Sequence, residues 1–371
     1  MCIMASCLSP NWSVFDIDQS QTLQVAVQEA HARSQPLAIR GGGSKTFYGR
    51  QTSACDLLDL GGHRGIIDYA PNELFITLRA GTSLQALEAQ LAEAGQMLPF
   101  EPPHFGPAAT IGGTLACGFS GPRRPYAAGS ARDMVLGMRI LNGQGEILRF
   151  GGQVMKNVAG YDVSRLMVGA LGTLGVLLEV SLKVLPRPDS TVTLVRPMDP
   201  VTAIQRMNHW AGQPLPLSAT AYDGEHLHIR LSGTGSAVRA AQTRLGGERL
   251  PDAEAAAFWV ALREQRHVFF QGDAPLWRLA VAPATPPLPL AGQTLIEWGG
   301  GQRWLRGARD ATALRQLAAE HGGHATLFRG GDRRGEVFHP LTPPLLAMQQ
   351  RLKAAFDPRA ILNSGRLYAT L

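Results

Sequence analysis

Cysteine is scarce in this sequence of 371 residues, which has four: Cys2, Cys7, Cys55 and Cys117. No two of them form a Cys-x-x-Cys pair, and no group of cysteines and histidines has the spacing of zinc or iron–sulfur ligands. We therefore expect a reducing compartment and no metal site in this chain.

Long apolar runs are missing as well. The longest weakly charged stretch, residues 166–178, contains three glycines and is shorter than the roughly 20 apolar residues that span a membrane. The apolar start, Met1–Cys7, lacks a basic head and is too short for a signal peptide. These features predict a cytoplasmic protein with no direct membrane insertion.

Lysine is nearly absent, so the net charge of +6 rests on arginine: 35 basic side chains stand against 29 acidic ones, and only positions 45, 156, 183 and 353 are Lys. The arginines are dispersed and are not interleaved with aromatic residues, a pattern that does not indicate nucleic-acid binding. An Arg-rich surface that faces an acidic partner protein is the favoured interpretation.

The two commonest nucleotide-binding motifs, Gly-x-x-x-x-Gly-Lys-Ser/Thr and Gly-x-Gly-x-x-Gly, are absent. Residues 40–46 instead read Arg-Gly-Gly-Gly-Ser-Lys-Thr, directly after a short apolar strand. Consecutive glycines can turn successive N–H groups toward one point, and such a row of donors suits an anion, most often a diphosphate. A flexible turn is the alternative that this heptad leaves open.

Further glycine-rich tracts follow at residues 109–121, 129–133 and 169–176. Small residues let the backbone approach a large flat ligand closely. Each tract alone is equally compatible with tight turns. Their density within one half of the chain favours a binding site.

The order of these motifs carries a resemblance to a known family. The series Arg-Gly-Gly-Gly, Pro102-Pro103, Ala-Thr-Ile-Gly-Gly, Gly-Ser-x-Arg-Asp and Gly-Thr-Leu-Gly-Val resembles the FAD-binding domain of the vanillyl-alcohol-oxidase, or PCMH, type. Residues 356–366 are similar to that family's C-terminal signature, Asp-Pro…Leu-Asn-Pro-Gly. More narrowly, residues 41–50, 154–162 and 322–329 resemble the FAD-binding subunits of bacterial glycolate oxidase complexes.

This resemblance implies that the chain holds FAD, with the diphosphate on the backbone amides of residues 41–46. The tracts after it line the riboflavin, phosphate and adenosine parts, and the tail returns toward the flavin. Lys156 and Tyr161 lie in a motif that supports the pocket. The implied cofactor-binding residues are Arg40, Gly41, Gly42, Gly43, Ser44, Lys45, Thr46, Pro102, Thr110, Ile111, Gly112, Gly113, Thr114, Gly118, Ser120, Ser130, Arg132, Gly172, Val176 and Asn363.

Two positions depart from relatives that bind flavin covalently. Those relatives often have a His just after the glycines, where this chain has Ser44, so we expect noncovalent FAD. Cys117 formally fits the Cys-x-x-x-Gly spacing of a thioether link, but its surroundings match the Ala-Thr-Ile-Gly-Gly module. A buried structural thiol is the favoured interpretation.

The substrate chemistry is less evident. Related D-2-hydroxy-acid oxidoreductases carry a metal-binding Gly-His-x-Gly-Asp-Gly-Asn-x-His motif, which is absent here, and a solvated strand face is favoured over metal ligation for His226 and His228. We propose His324, Arg329 and His339 as catalytic candidates, because His can take a proton and Arg can clamp a carboxylate. The sequence is equally compatible with non-catalytic roles, in which each histidine has its hydrogen bonds satisfied within a loop and the arginine is exposed to solvent.

The fold class we predict is α+β. A two-lobed PCMH-type FAD-binding domain occupies residues 1–188, a cap domain with an antiparallel sheet and helices occupies 189–345, and a tail over 346–371 returns to the first domain. Periodicity predicts a helix over 22–33, a capped helix from Leu84, and a hairpin turning at Asn142-Gly143. Strands are predicted at 37–40, 66–69, 74–78, 176–184, 227–231, 277–281 and 294–298.

The resemblance implies a function. The chain would be a subunit of a glycolate oxidase (dehydrogenase) complex that converts glycolate to glyoxylate. Electrons would pass through a catalytic flavoprotein subunit and an iron–sulfur subunit to quinone, with the complex peripheral to the inner membrane. A stand-alone FAD-dependent D-2-hydroxy-acid dehydrogenase and a non-catalytic assembly subunit are the alternatives.

Overall fold

The computed structural model describes residues 16–53, 55–126, 129–152 and 162–371. The helices are α1 (Ser20–Arg33), α2 (Leu84–Glu93), α3 (Ile111–Cys117), α4 (Val163–Leu166), α5 (Pro200–Ala211), α6 (Gly235–Leu245), α7 (Asp252–Arg263), α8 (Ala311–Glu320) and α9 (Pro343–Phe356). The strands of the first half are β1 (Leu37–Arg40), β2 (Asp56–Asp59), β3 (Ile66–Ala70), β4 (Phe75–Arg79), β5 (Gln96–Met97), β6 (Val135–Leu141), β7 (Ile147–Gly151), β8 (Val176–Lys183) and β9 (Leu185–Pro186). Those of the second half are β10 (Ser190–Pro197), β11 (Leu217–Tyr222), β12 (His226–Gly233), β13 (Glu248–Arg249), β14 (Leu276–Ala280), β15 (Thr294–Glu297), β16 (Gln302–Arg306) and β17 (His324–Arg329).

The first half is built on a five-stranded antiparallel sheet in the order β3-β4-β8-β6-β7. The predicted hairpin is confirmed, since β6 and β7 pair across the Asn142-Gly143 turn. The predicted capped helix is confirmed as α2, where the Ser83 hydroxyl accepts a hydrogen bond from the Ala86 N–H. The apolar faces of α1 and α2 pack with this sheet in one core.

Strands β1 and β2 form a separate parallel pair that carries the glycine heptad at its end. The chain returns to this pair after α9, where Leu362 forms a parallel bridge with Leu37. Lys353, buried on α9, fixes the return by donating to Asp357 Oδ2 (2.7 Å), Thr173 O (2.8 Å) and Leu362 O (2.9 Å). These contacts support the predicted return of the tail over 346–371, which we propose to keep.

The second half is an eight-stranded antiparallel sheet in the order β13-β10-β12-β11-β15-β16-β14-β17. The antiparallel cap sheet and its helices are therefore as predicted. We propose that the domain boundary lies near residue 188, because the first strand of this sheet begins at Ser190.

The two halves share a hydrophobic core. Tyr48 and Phe119 of the first half pack in one cluster with Trp304, Leu305 and Phe328 of the large sheet. A bidentate ion pair adds to it, because Arg230 of β12 donates to Glu101 at 2.9 and 2.7 Å. Among the residues that the structure describes, every helix is too short or too polar to cross a lipid bilayer.

Candidate functional site: a glycine-lined cleft

A cleft of about 1100 Å³ opens where the parallel strand pair meets α3, the turn at residues 171–175 and the tail. Many predicted residues line it together: Arg40, Gly41, Gly42, Gly43, Ser44, Lys45, Thr46, Thr110, Gly112, Gly113, Gly172 and Asn363.

Four consecutive backbone amides of the heptad have no acceptor. Among the described residues, the N–H groups of Gly42, Gly43, Ser44 and Lys45 donate to no protein oxygen, although all four residues line the cleft. Amides that are left without partners at a protein surface form an anion-binding concavity. This row is what the sequence predicts for a diphosphate site.

The glycines are required because another loop packs directly on the heptad. A Cβ on Gly42 would lie 1.3 Å from the carbonyl oxygen of Ala108, and one on Gly41 would lie 2.4 Å from the Thr110 hydroxyl. Gly43 adopts a φ of 70°, in the left-handed region that favours glycine. The backbone is thus folded tightly enough to leave no room for side chains under a ligand.

Helix α3 forms the opposite wall. Thr110 caps it by accepting a hydrogen bond from Gly113 N–H at 3.2 Å. Ile111 and Thr114 lie on the buried side of the helix, and the Thr114 hydroxyl is buried without a hydrogen-bond partner in the described part of the chain. Neither residue lines the cleft, and their contact with a cofactor stays a prediction.

The other predicted cofactor residues lie around the cleft rather than on its wall. Pro102 and Val176 are buried, and Gly118 ends α3 with a left-handed conformation. The Ser120 hydroxyl accepts a hydrogen bond from Ala131 N–H. Ser130 forms a capping box with Asp133, and Arg132 is exposed. Their contact with a cofactor stays a prediction, as does that of Lys156 and Tyr161, which fall outside the described residues.

Lys45 supplies positive charge within the cleft. Its side chain is only 7% exposed, and its ammonium donates to His104 O at 3.1 Å and to the Ser44 hydroxyl at 3.2 Å. Burial lowers the pKa of Lys45, and the neighbouring Glu264 opposes that shift. A buried ammonium beside free amides favours an anionic ligand further.

Cys117 lines this cleft and packs against the cluster of Tyr48 and Phe119, so the expected buried structural thiol is only partly enclosed. Burial raises its pKa to about 11, against the influence of Lys45 and Arg366. The thiol therefore stays protonated and unreactive at neutral pH. This agrees with a noncovalently held cofactor.

The tail closes the cleft through Asn363. Its side chain accepts a hydrogen bond from Ile39 N–H at 2.8 Å and donates to Leu171 O at 2.6 Å. It thereby ties β1 to the turn that contains Gly172. Asn363 therefore bridges two segments of the site and also lines the cleft. Its predicted contact with the cofactor stays a prediction.

Arg366 is a site residue that the sequence patterns did not identify. It lines the cleft and donates to Thr46 O at 2.8 Å and Tyr48 O at 2.6 Å, directly beyond the heptad. It stands two residues after the serine of the C-terminal signature. Because arginine is frequent in this chain, a single arginine at this position did not stand out in the sequence.

The three catalytic candidates lie on or near β17, outside the lining of the cleft. Arg329 donates to Phe270 O at 3.3 Å, while His339 accepts from Ala325 N–H and binds Tyr368 through its carbonyl. His324 is exposed at the start of β17. Their role in catalysis stays a prediction.

The expectation that His226 and His228 lie on a solvated strand face is wrong for His228. It is 8% exposed, stacks on Phe258 and lies 2.9 Å from Asp223 Oδ2, so it is not on a solvated face. Within the described ranges, no three His, Cys, Asp or Glu side chains are grouped to hold a metal ion.

Comparison with known proteins agrees with this geometry. Residues 14–151 match the family of FAD-binding domains. The fold is shared with a solved structure of alkyldihydroxyacetonephosphate synthase, at a TM-score of 0.65 and 16% identity over 92% of this chain and 75% of that one. The cleft and fold define an FAD-binding flavoprotein of the α+β class predicted.

Two relatives narrow the assignment. The chain is 48% identical over 356 residues to glycolate oxidase subunit GlcE of Escherichia coli (strain K12), covering 96% of this chain and 99% of that protein. It is 26% identical to glycolate oxidase subunit GlcD of Bacillus subtilis (strain 168), covering 90% and 84%. The chain belongs to the family of glycolate oxidase GlcE subunits.

Proposed function

We propose that this chain is the FAD-binding subunit of a glycolate oxidase complex that converts glycolate to glyoxylate. The observation that carries the proposal is the row of four free amides in a glycine-lined cleft, in a chain 48% identical to a glycolate oxidase subunit. When bound, FAD supplies the hydride acceptor that oxidation of a 2-hydroxy acid requires.

The residues of the chain bind and orient the cofactor. The amides of residues 42–45 hold the diphosphate, and the ammonium of Lys45 balances its charge. Asn363 and Arg366 fix the position of the heptad from the tail. The contacts of Ser130, Arg132 and the other surrounding residues belong to this proposal too.

Partner subunits complete the proposed function. The relatives of this chain are named as subunits, and we infer that a GlcD-like flavoprotein is one partner. An iron–sulfur subunit is the second, because this chain has four scattered cysteines and therefore cannot supply a cluster. Electrons would leave through that subunit to quinone, at the inner membrane surface.

The absorption spectrum of the purified chain tests the cofactor assignment, and co-expression with a GlcD-like partner tests the complex. We expect a bound oxidised flavin, and we expect glycolate to bleach it in the assembled complex. A colourless chain that takes up no FAD contradicts the proposal and favours a non-catalytic assembly subunit. Turnover of glycolate or D-lactate by the isolated chain favours a stand-alone dehydrogenase.

A further inference from the structure

A second, smaller cavity of about 360 Å³ lies between the two halves of the molecule. Phe105 and Phe119 bound it from the first half, and Arg278, Glu297, Trp298 and Phe328 bound it from the large sheet. We call it the interlobe chamber. It adjoins the glycine-lined cleft through Tyr48, which lines the cleft and packs on Phe119 with ring centroids 4.7 Å apart.

Strand register explains why polar side chains meet here. Glu297 of β15 is paired with Gln302 of β16, and Arg278 of β14 is paired with Trp304. Paired residues, and residues two apart on one strand, project from the same face of a sheet. The face that carries Arg278 therefore also carries Arg306, the Glu297 carboxyl and the Gln302 amide. Of these, Arg278, Glu297 and Gln302 line the chamber.

Arg278 is a cation without a counter-ion. Among the described residues no carboxylate lies within 4.0 Å of its guanidinium, and its one hydrogen bond is to the Tyr48 hydroxyl at 3.3 Å. Arg124 is a second cation nearby, since burial and the charge of Arg278 together lower its pKa. Phe328 lies beneath the half-buried Arg278 guanidinium, 5.6 Å away.

Gln265 presents the second unmet polar group. Its side chain lines the chamber and the residue is only 7% exposed. Its amide oxygen is buried with no hydrogen-bond donor among the described residues. A buried acceptor left in this state destabilises the fold, and a ligand that carries an O–H group would supply the missing donor.

Glu297 does not cancel the positive charge of Arg278. Its Oε2 accepts from Trp304 Nε1 at 2.5 Å and from Gln302 Nε2 at 3.1 Å. Burial raises its pKa to about 7, with Glu101 adding to the shift. A substantial fraction of this carboxyl is thus neutral at physiological pH, and the chamber keeps a net attraction for an anion.

We propose that the interlobe chamber binds a small 2-hydroxy carboxylate: the Arg278 guanidinium pairs with the carboxylate, and the Gln265 amide oxygen accepts from the hydroxyl. The identity of this ligand class rests on the proposed function, whereas the two unmet groups are features of the chamber itself. Arg278 and Gln265 are then specificity-determining residues on this chain.

Calorimetric titration of the flavin-loaded full chain tests the proposal, with glycolate, acetate and ethylene glycol as probes. We expect glycolate to bind most tightly, since acetate lacks the hydroxyl and ethylene glycol lacks the carboxylate. Arg278→Met should weaken glycolate binding by about 10- to 100-fold, the loss of a charge-assisted hydrogen bond. Gln265→Leu should weaken glycolate binding and leave acetate binding unchanged.

Arg266→Met is the matched control, because Arg266 is exposed and adjacent to Gln265; it should bind glycolate like wild type. Should Arg278→Met not fold, Arg278→Lys, which keeps the charge and loses the planar fork, should weaken binding several-fold. Unchanged glycolate affinity in the folded Arg278 variant, or no binding by wild type, overturns the proposal. Flavin content, read separately by absorbance, reports on the proposed function alone.

Discussion

At Gly42 the backbone of the heptad touches the carbonyl oxygen of Ala108 so closely that a methyl group would lie 1.3 Å from it. Gly42→Ala must therefore displace one of the two loops that shape the amide row. We expect the variant to lose most of its FAD, measured as the ratio of flavin to protein absorbance. Gly212→Ala is the control, because a Cβ at Gly212 meets nothing closer than 3.7 Å. Full flavin content in Gly42→Ala would show that the heptad does not shape the site.

Glu297 is the residue whose ionisation should make stability depend on pH. Its pKa is about 7 in the folded chain, where burial disfavours the charge, against a usual 4.5. The folded state then binds more protons than the unfolded state between these values, so the contribution of Glu297 to stability is fully present below pH 4.5 and is lost as the pH rises through 7. The difference amounts to about 3 kcal/mol.

Glu297→Gln removes this titration and keeps an acceptor for Trp304. We expect the variant to gain stability relative to wild type when the pH is raised from 5 to 8, measured as the difference between their thermal midpoints. A difference that stays constant across this range would mean that Glu297 is ionised throughout.

At the scale of elements, helix α9 is held by one buried ammonium. Lys353 binds Asp357 and two carbonyl oxygens, and Lys353→Met would leave the buried Asp357 carboxylate without its counter-ion and remove the ammonium donor from both carbonyls. Removing one member of a buried ion pair costs about 3–5 kcal/mol. We expect a lower urea midpoint, and proteolysis of the tail before the rest of the chain.

Arg351→Met on the same helix provides the comparison. Arg351 is exposed, and its replacement should leave the urea midpoint and the proteolysis pattern unchanged. Equal effects of the two substitutions would contradict the role given to Lys353.

The elements that could be predicted from the sequence are those with local signals. Helix α1 has Leu23 and Val27 at helical spacing, and the β6–β7 hairpin has an Asn-Gly turn. The heptad was recognisable because its glycines are consecutive, so the whole pattern lies within seven neighbouring residues.

The interlobe chamber carries no such signal. Gln265, Arg278 and Gln302 are brought together by strand pairing and by packing of the two halves, and isolated Gln and Arg residues have no distinctive spacing. Arg329 was proposed because it ends the motif at residues 322–329, whereas Arg278 belongs to no motif and is recognisable only from its neighbours in the fold. Strand β10 also passed unrecognised, beside two prolines that mark a loop.

At the scale of the whole molecule, the Glu101–Arg230 pair joins the two halves. Arg230 is 5% exposed, so Arg230→Met leaves the Glu101 carboxylate without its partner at the interface. We expect a loss of about 3–5 kcal/mol in the free energy of unfolding, measured by urea denaturation. The double variant with Glu101→Gln should recover part of this loss, because no unpaired charge remains.

Arg239→Met is the control for that experiment, since Arg239 is exposed on α6. No change is expected for it. A double variant as unstable as the single one would show that shape, rather than charge, holds the halves together.

The bridge from Asn363 to Ile39 spans 324 positions of the chain. During synthesis, the residue that locks β1 and the glycine heptad in place is made 324 positions after Ile39. The nascent chain therefore has an incomplete cofactor-binding site, and stable FAD binding requires that translation has passed position 363. Messages cut short upstream would yield polypeptides unable to retain their prosthetic group.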